Sequence, residues 1–119
     1  MRMRTKQLIG AAAAGAVALG LAGTASAQDA ALVKKGEGVY ASAAPKCQMC
    51  HSIDGKGNKK FPLDGVGKKL TKEQIREWLA NPAAMHAKQD AKPAMKMPAY
   101  TKLPAADVDA LVAYLEGLK

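Results

Sequence analysis

The spacing of apolar residues along the chain predicts three helices, and the last one has the clearest pattern. Near the C-terminus, apolar side chains recur three and four positions apart, at Val108, Leu111, Val112, Leu115 and Leu118. This spacing places them on one face of an α-helix. Pro104 and Asp107 precede or open the pattern, and both residue types are favoured at helix N-termini. The segment after Leu103 is therefore predicted to be the C-terminal helix.

A first helix is predicted over residues 28–44, where the apolar face carries a glycine. Its apolar or small positions are Leu32, Val33, Gly36, Val39, Tyr40 and Ala43. Glycine in a helix costs about 1 kcal/mol relative to alanine, and it is usually tolerated where another backbone must come close. Pro45 cannot continue the helix and is expected to end it.

A third, shorter helix is predicted to begin at Lys72. Thr71 and Gln74 match the capping box, in which each side chain bonds the other residue's backbone N–H. Ile75, Trp78 and Leu79 form the apolar face, and the Asn81-Pro82 pair is expected to end the helix. The segments 52–60 and 82–98 have no clean period and are predicted to be loops.

Residues 1–27 have the pattern of a secretory signal peptide. Arg2, Arg4 and Lys6 precede an apolar stretch from Leu8 to Gly23, and Ala25-Ser26-Ala27 matches a small-residue cleavage site. The apolar stretch is shorter than the roughly 20 residues that a membrane-spanning helix needs. The sequence thus predicts export, cleavage before Gln28, one domain over residues 28–119 and no stable membrane insertion afterwards. An uncleaved anchor is the alternative.

The composition argues against a nucleic-acid-binding protein. The formal net charge is +8 at pH 7, and only 4% of the residues are aromatic. Part of that charge belongs to the predicted signal peptide, and an exported protein does not meet nucleic acid in the cell.

The strongest chemical signal is the pentapeptide Cys47-Gln48-Met49-Cys50-His51. Two thiols separated by two residues and followed by histidine are the attachment motif of c-type haem. A redox dithiol of the thioredoxin kind is an alternative, although no strand-rich pattern surrounds Cys47. A zinc site would need a fourth ligand besides Cys47, Cys50 and His51, and His86 is the only other histidine in the sequence. A structural disulfide over so short a loop would stabilise little.

On this motif the chain resembles the small class I cytochromes c, whose haem motif lies near the start of the mature chain. The resemblance implies an all-α cytochrome c fold, with three to four short helices around one haem c bonded to Cys47 and Cys50. It implies that His51 is the proximal iron ligand and that the first and last helices cross at Gly36, with Tyr40 one turn further on.

The resemblance also implies roles for two further residues. Pro62 in Phe61-Pro62-Leu63 matches the family segment in which a proline carbonyl accepts the second ring N–H of the proximal histidine. Such a bond fixes the tautomer of the imidazole and raises its basicity. Trp78, the only tryptophan, is a core residue by default, but in this family a tryptophan N–H can bond a haem propionate.

The distal iron ligand is expected to be a methionine shortly before the last helix and followed by proline. Met97-Pro98 fits this family pattern. Met95, Met85 and His86 remain as competitors, and methionines in general more often fill gaps in a core. A His/Met ligand pair raises the reduction potential.

The function implied by the resemblance is that of a periplasmic carrier of single electrons, monomeric and not an enzyme. The alternatives are a haem subunit of a larger oxidoreductase and a peroxidase or gas-binding haem protein. Expected partners are redox proteins with acidic docking patches, because lysines flank the haem motif and lie in or after the predicted loop over residues 82–98. These lysines are at positions 46, 56, 59, 60, 96 and 102. Without its haem, so short a chain is expected to be poorly folded.

Overall fold

The computed structural model describes the backbone of residues 19–119 and the side chains of residues 29–119. Its elements follow the chain as helix α1, a 3₁₀ helix, three short strands and four further helices. They span α1 Leu19–Ser42, the 3₁₀ helix Cys47–Met49, β1 His51–Ile53, β2 Lys56–Gly57, β3 Phe61–Pro62, α2 Val66–Lys69, α3 Lys72–Ala80, α4 Pro82–Ala87 and α5 Ala105–Glu116. The predicted all-α class is confirmed, and the described residues form five α-helices where three to four were expected.

The first and last helices cross at Gly36, as predicted. A Cβ atom added to Gly36 would overlap the carbonyl oxygen of Ala110 and lie 2.7 Å from Cβ of Tyr114. One helical turn further on, the rings of Tyr40 and Tyr114 pack with their centroids 5.9 Å apart. Only a residue without a side chain lets the α1 and α5 backbones come this close. Lys35 and Asp107 add an ion pair of 3.5 Å across the same crossing.

The core lies beneath this crossing and joins α1, α3 and α5. Its buried members include Val39, Tyr40, Ala43, Ile75, Leu79, Tyr100, Leu111, Val112 and Leu115. The apolar faces predicted for the three helices therefore meet in one core. Helix α3 begins and ends where predicted, and both hydrogen bonds of the Thr71–Gln74 capping box are formed. Its Arg76 also pairs with Asp109 of α5 at 2.8 Å.

The described part of helix α1 extends from Leu19, nine positions before the predicted start at Gln28, to Ser42. The backbone is therefore helical on both sides of the predicted cleavage position. The predicted signal peptide, residues 1–27, lies outside the residues whose side chains are described, and its cleavage stays a prediction. None of the helices in the described range is both long and apolar enough to cross a bilayer.

The predicted loop over residues 52–60 is part of a small sheet that spans residues 51–62, which is a correction. Strand β1 pairs antiparallel with β2 and parallel with β3, in the order β2-β1-β3. The turn between β1 and β2 is Asp54-Gly55, and both residues have positive φ. A two-residue hairpin needs this geometry, and Asp-Gly supplies it. The strands are too short to show an alternating pattern in the sequence.

The predicted loop over residues 82–98 also begins with a helix. The Asn81 side chain accepts a hydrogen bond from the Ala84 backbone N–H, and Pro82 occupies the first helical position of α4. The sequence predicted that Asn81-Pro82 would end α3. In the structure Asn81 is both the C-terminal cap of α3 and the N-terminal cap of α4, so the same pair also starts a new helix. Residues 88–104 have neither helix nor strand and form the distal loop.

Candidate haem site

One cavity of about 290 Å³ is lined by residues of the predicted haem motif and of the distal loop. Its lining is mostly apolar. Helices and loops contribute Tyr40, Leu63, Val66, Leu70, Ile75, Trp78, Leu79, Pro93, Tyr100, Leu111 and Leu115. The predicted site residues Cys47, Cys50, His51, Trp78 and Met97 all line it. A largely apolar cavity with a few chemically active groups suits a large flat apolar cofactor.

The 3₁₀ helix turns both thiols of the motif towards this cavity. The backbone N–H of Cys50 donates to the carbonyl of Cys47 at 3.2 Å, which closes the turn. The Cys47 side chain is buried, Cys50 is half-buried, and neither is in a disulfide. The structural disulfide considered from the sequence is therefore not formed, and both sulfur atoms are available for bonds to a cofactor.

The His51 ring is fixed by a hydrogen bond between its Nδ1 and the carbonyl oxygen of Phe61, at 2.8 Å. A carbonyl can only accept, so Nδ1 carries the proton and Nε2 keeps its lone pair. The predicted acceptor was the carbonyl of Pro62, one residue later, and this is corrected. The parallel pairing of β1 with β3 places His51 beside Phe61 and Ser52 beside Pro62, so the strand register selects the acceptor.

The four candidates for the distal ligand are in different surroundings. Met97 is half-buried and lines the cavity, whereas Met95 lines it with 41% of its surface exposed. The sulfur of Met95 lies 3.9 Å from Sγ of Cys50. Met85 is buried in the protein interior and is not part of the cavity lining. These positions favour Met97, whose role as ligand stays a prediction.

His86 lines the cavity, but hydrogen bonds engage both of its ring nitrogens. The backbone N–H of Met97 donates to Nε2 at 3.1 Å, and Nδ1 lies 3.0 Å from Oε1 of Gln89. Neither nitrogen is then free to bind iron without breaking a bond. The bond to Met97 joins residues eleven positions apart, and no sequence pattern indicated it.

Trp78 packs edge to face against His86, with ring centroids 4.9 Å apart and an interplanar angle of 89°. It therefore connects α3 with α4 while also lining the cavity. Its proposed hydrogen bond to a haem propionate stays a prediction.

Two tyrosine hydroxyls lie near Cys47 and have opposite hydrogen-bonding states. The Tyr100 hydroxyl donates to the carbonyl of Pro45 at 2.6 Å. The Tyr40 hydroxyl is buried and has no partner among the described residues. Burial raises the pKa of Tyr40 to about 12 and raises the pKa of the Cys47 thiol. Tyr40 lines the cavity, and a buried hydroxyl without a partner is uncommon in folded proteins.

The lysines predicted to face redox partners are all exposed, and two of them stand at the cavity itself. Lys46 and Lys96 line it. The group at positions 56, 59 and 60 lies on or beside the small sheet, where the Lys60 ammonium stands 5.9 Å from the centre of the Phe61 ring. Positive charge thus surrounds part of the site.

The zinc alternative gains no support from the described residues. No group of three or more His, Cys, Asp or Glu side chains in that part of the chain is arranged to hold a metal ion. The residues present suit haem instead, since they offer two free thiols, an oriented imidazole and an apolar wall.

Comparison with known proteins gives one positive finding. The family model described as Cytochrome c matches residues 33–119. Comparison with curated proteins and with solved structures gave no match.

Proposed function

The chain belongs to the cytochrome c family, and from this premise we propose that it shuttles single electrons between redox partners in the bacterial periplasm. Members of the family bind haem c covalently and transfer electrons, and the CxxCH motif of this chain has the residues for that bond. The observation that carries the proposal is the cavity whose lining includes both thiols, the imidazole and the Met97 thioether.

The residues that would hold the haem follow from their chemistry. The Cys47 and Cys50 thiols suit thioether bonds to its two vinyl groups, His51 Nε2 suits the proximal iron position, and Met97 Sδ suits the distal one. When bound, the haem supplies an iron that alternates between the ferric and ferrous states by one electron. No substrate-activating group is needed for such a function, so we propose a carrier and not an enzyme.

The protein residues adjust the energy of that electron. The Phe61 carbonyl accepts the His51 N–H and thereby raises the basicity of the imidazole. The apolar lining excludes water, which disfavours the more highly charged ferric state. The soft thioether of Met97 acts in the same direction, so both favour a raised reduction potential.

The location and the partners are also proposed. The signal-peptide pattern of residues 1–27 supports export. Exposed lysines around the cavity, of which Lys46 and Lys96 line it, would attract an acidic patch on a redox partner. We propose that the protein acts as a monomer, since single-electron exchange at one exposed site needs no second copy.

The visible spectrum of the matured protein tests this function. We expect the oxidised form to show the far-red band of a sulfur–iron bond and the reduced form to leave carbon monoxide unbound, because both axial positions are filled. High-spin iron that binds carbon monoxide or peroxide would favour the peroxidase or gas-binding alternative. Stable co-purification with an oxidoreductase would favour the subunit alternative.

A further inference from the structure

The distal loop, residues 88–104, has few fixed points. Tyr100 N–H donates to the carbonyl of Leu79 at 2.8 Å, which ties the end of the loop to α3. Over residues 90–99, the backbone makes one hydrogen bond to the rest of the described chain, from Met97 N–H to His86 Nε2. The backbone of this segment is therefore fixed at Met97, the residue proposed as the distal ligand.

The ring of His86 is itself held from two sides. Gln89 Oε1 lies 3.0 Å from its Nδ1, and the Trp78 ring packs at right angles against it. An amide N–H can only donate, so Nε2 must accept and the proton must be on Nδ1, from where it is donated to Gln89. One neutral tautomer satisfies both bonds, and the ring cannot turn without losing them.

Met95 provides the contrast within the same loop. It also lines the cavity, but it is 41% exposed, and its sulfur lies 3.9 Å from Cys50 Sγ. No hydrogen bond to a described residue holds its backbone. Two thioethers are thus within reach of one site, and the one whose backbone is fixed has the smaller entropy cost of binding.

We propose that His86 is a positioning residue, whose Nε2 holds the Met97 amide so that Met97, and not Met95, supplies the distal sulfur. This inference rests on the proposed function, because it presumes iron in the cavity. It assigns His86 no contact with the iron, since both of its ring nitrogens are engaged. Its role is to select between two methionines of one loop.

The test compares His86→Leu, which removes the acceptor, with His86→Gln, whose side-chain oxygen can take the place of Nε2. The readouts are the far-red sulfur–iron band and the proton NMR signal of the iron-bound methionine methyl group in the reduced protein. Losing one hydrogen bond should lower the ratio of Met97 to Met95 ligation roughly five-fold. Relative to the Met97 methyl signal, we therefore expect the Met95 methyl signal to be about five-fold stronger in His86→Leu than in wild type. It should be absent in His86→Leu/Met95→Ala and at its wild-type level in His86→Gln.

Two outcomes would overturn the inference. A ratio of Met97 to Met95 methyl signals that is the same in His86→Leu as in wild type would show that His86 does not select the ligand. Equal disturbance in His86→Gln and His86→Leu would show that ring packing against Trp78, and not the hydrogen bond, matters. Failure of the proposed function is distinguishable, because the wild-type protein itself would then lack the sulfur–iron band, whereas here only the His86 variants are at issue.

Discussion

Single hydrogen bonds determine whether each histidine in the site keeps a ring nitrogen with a free lone pair. The His51–Phe61 bond leaves His51 Nε2 free, and the His86–Met97 bond engages His86 Nε2. The two histidines of the chain are therefore in opposite states, although both line the cavity. The first can be a metal ligand, and the second cannot be one without losing a partner.

Replacement of the two loop methionines tests the ligand at the same scale. Met97→Ala should remove the far-red sulfur–iron band and lower the reduction potential, because a thioether stabilises the ferrous state. Met95→Ala is the matched control, two positions away, and should leave both unchanged. Visible spectroscopy and a redox titration measure the effect. Loss of the band in Met95→Ala but not in Met97→Ala would identify Met95 as the ligand.

The buried hydroxyl of Tyr40 should make stability depend on alkaline pH. Burial raises the pKa of Tyr40 to about 12 in the folded protein, against about 10 in an unfolded chain. Above pH 10 the unfolded state therefore loses this proton first, and the contribution to stability declines as the pH rises towards 12. Below pH 10 both states are protonated and the contribution is constant.

Tyr40→Phe should weaken that decline. The measurement is the free energy of unfolding in urea at several values of pH, followed by the fluorescence of Trp78, for wild type and variant in parallel. Alkaline effects shared by both proteins then cancel in the difference. If the free energy of unfolding fell equally with pH above pH 10 in both proteins, the raised pKa of Tyr40 would be contradicted.

At the scale of elements, the crossing of α1 with α5 depends on one glycine. Gly36→Ala should destabilise the fold by about 1–3 kcal/mol, because the new methyl group meets the Ala110 carbonyl and Tyr114. Gly38→Ala is the control on the same helix, since nothing lies within 4 Å of the added atom. That change should be neutral or stabilise by up to about 1 kcal/mol through helix propensity. Urea unfolding measures both, and equal effects would contradict the close approach.

The elements also show what could and could not be predicted from the sequence. Helices with long amphipathic patterns or a capping box, α3 and α5, were predicted closely because their signals are local. The Asp54-Gly55 pair is a typical hairpin turn sequence. The hairpin was still missed, because its strands have only two or three residues and show no alternating pattern. Helix α4 was missed because Asn81-Pro82 can end one helix and begin another, and here it does both.

The site was predictable to a similar extent, for a related reason. The motif residues 47, 50 and 51 lie within one stretch of five residues, so their grouping in one cavity needed no tertiary information. The acceptor for His51 depended on a strand register that the sequence does not display, and the prediction was one residue off. The His86–Met97 bond joins two parts of the chain through the tertiary fold alone, so only the structure could reveal it.

At the scale of the whole molecule, the cavity lies where a larger protein would have core. Helices α1, α2, α3 and α5 contribute apolar side chains to its wall, and without a cofactor that surface would face water or collapse. The Cys47→Ser/Cys50→Ser variant, prepared without haem, should therefore have a poorly dispersed NMR spectrum and a weak near-ultraviolet circular dichroism signal. A well-dispersed spectrum would show that the polypeptide folds by itself.

The charge of the molecule should influence its reaction rate with an anionic oxidant. Oxidation of the reduced protein by hexacyanoferrate(III) should slow as ionic strength rises, because salt screens the attraction. Lys46→Glu, at the cavity, should reduce the rate and its salt dependence more than Lys34→Glu, an exposed position on α1. Stopped-flow absorbance measures both. Equal effects would mean that only net charge matters.

We propose that one haem is bonded to the chain through Cys47 and Cys50. The most direct test is the intact mass of the purified protein, after export in a host that matures c-type haem, measured in denaturing acid. We expect a coloured protein whose mass exceeds that of the polypeptide by one haem, with the haem retained through acid extraction. A colourless protein at the mass of the bare polypeptide would contradict it.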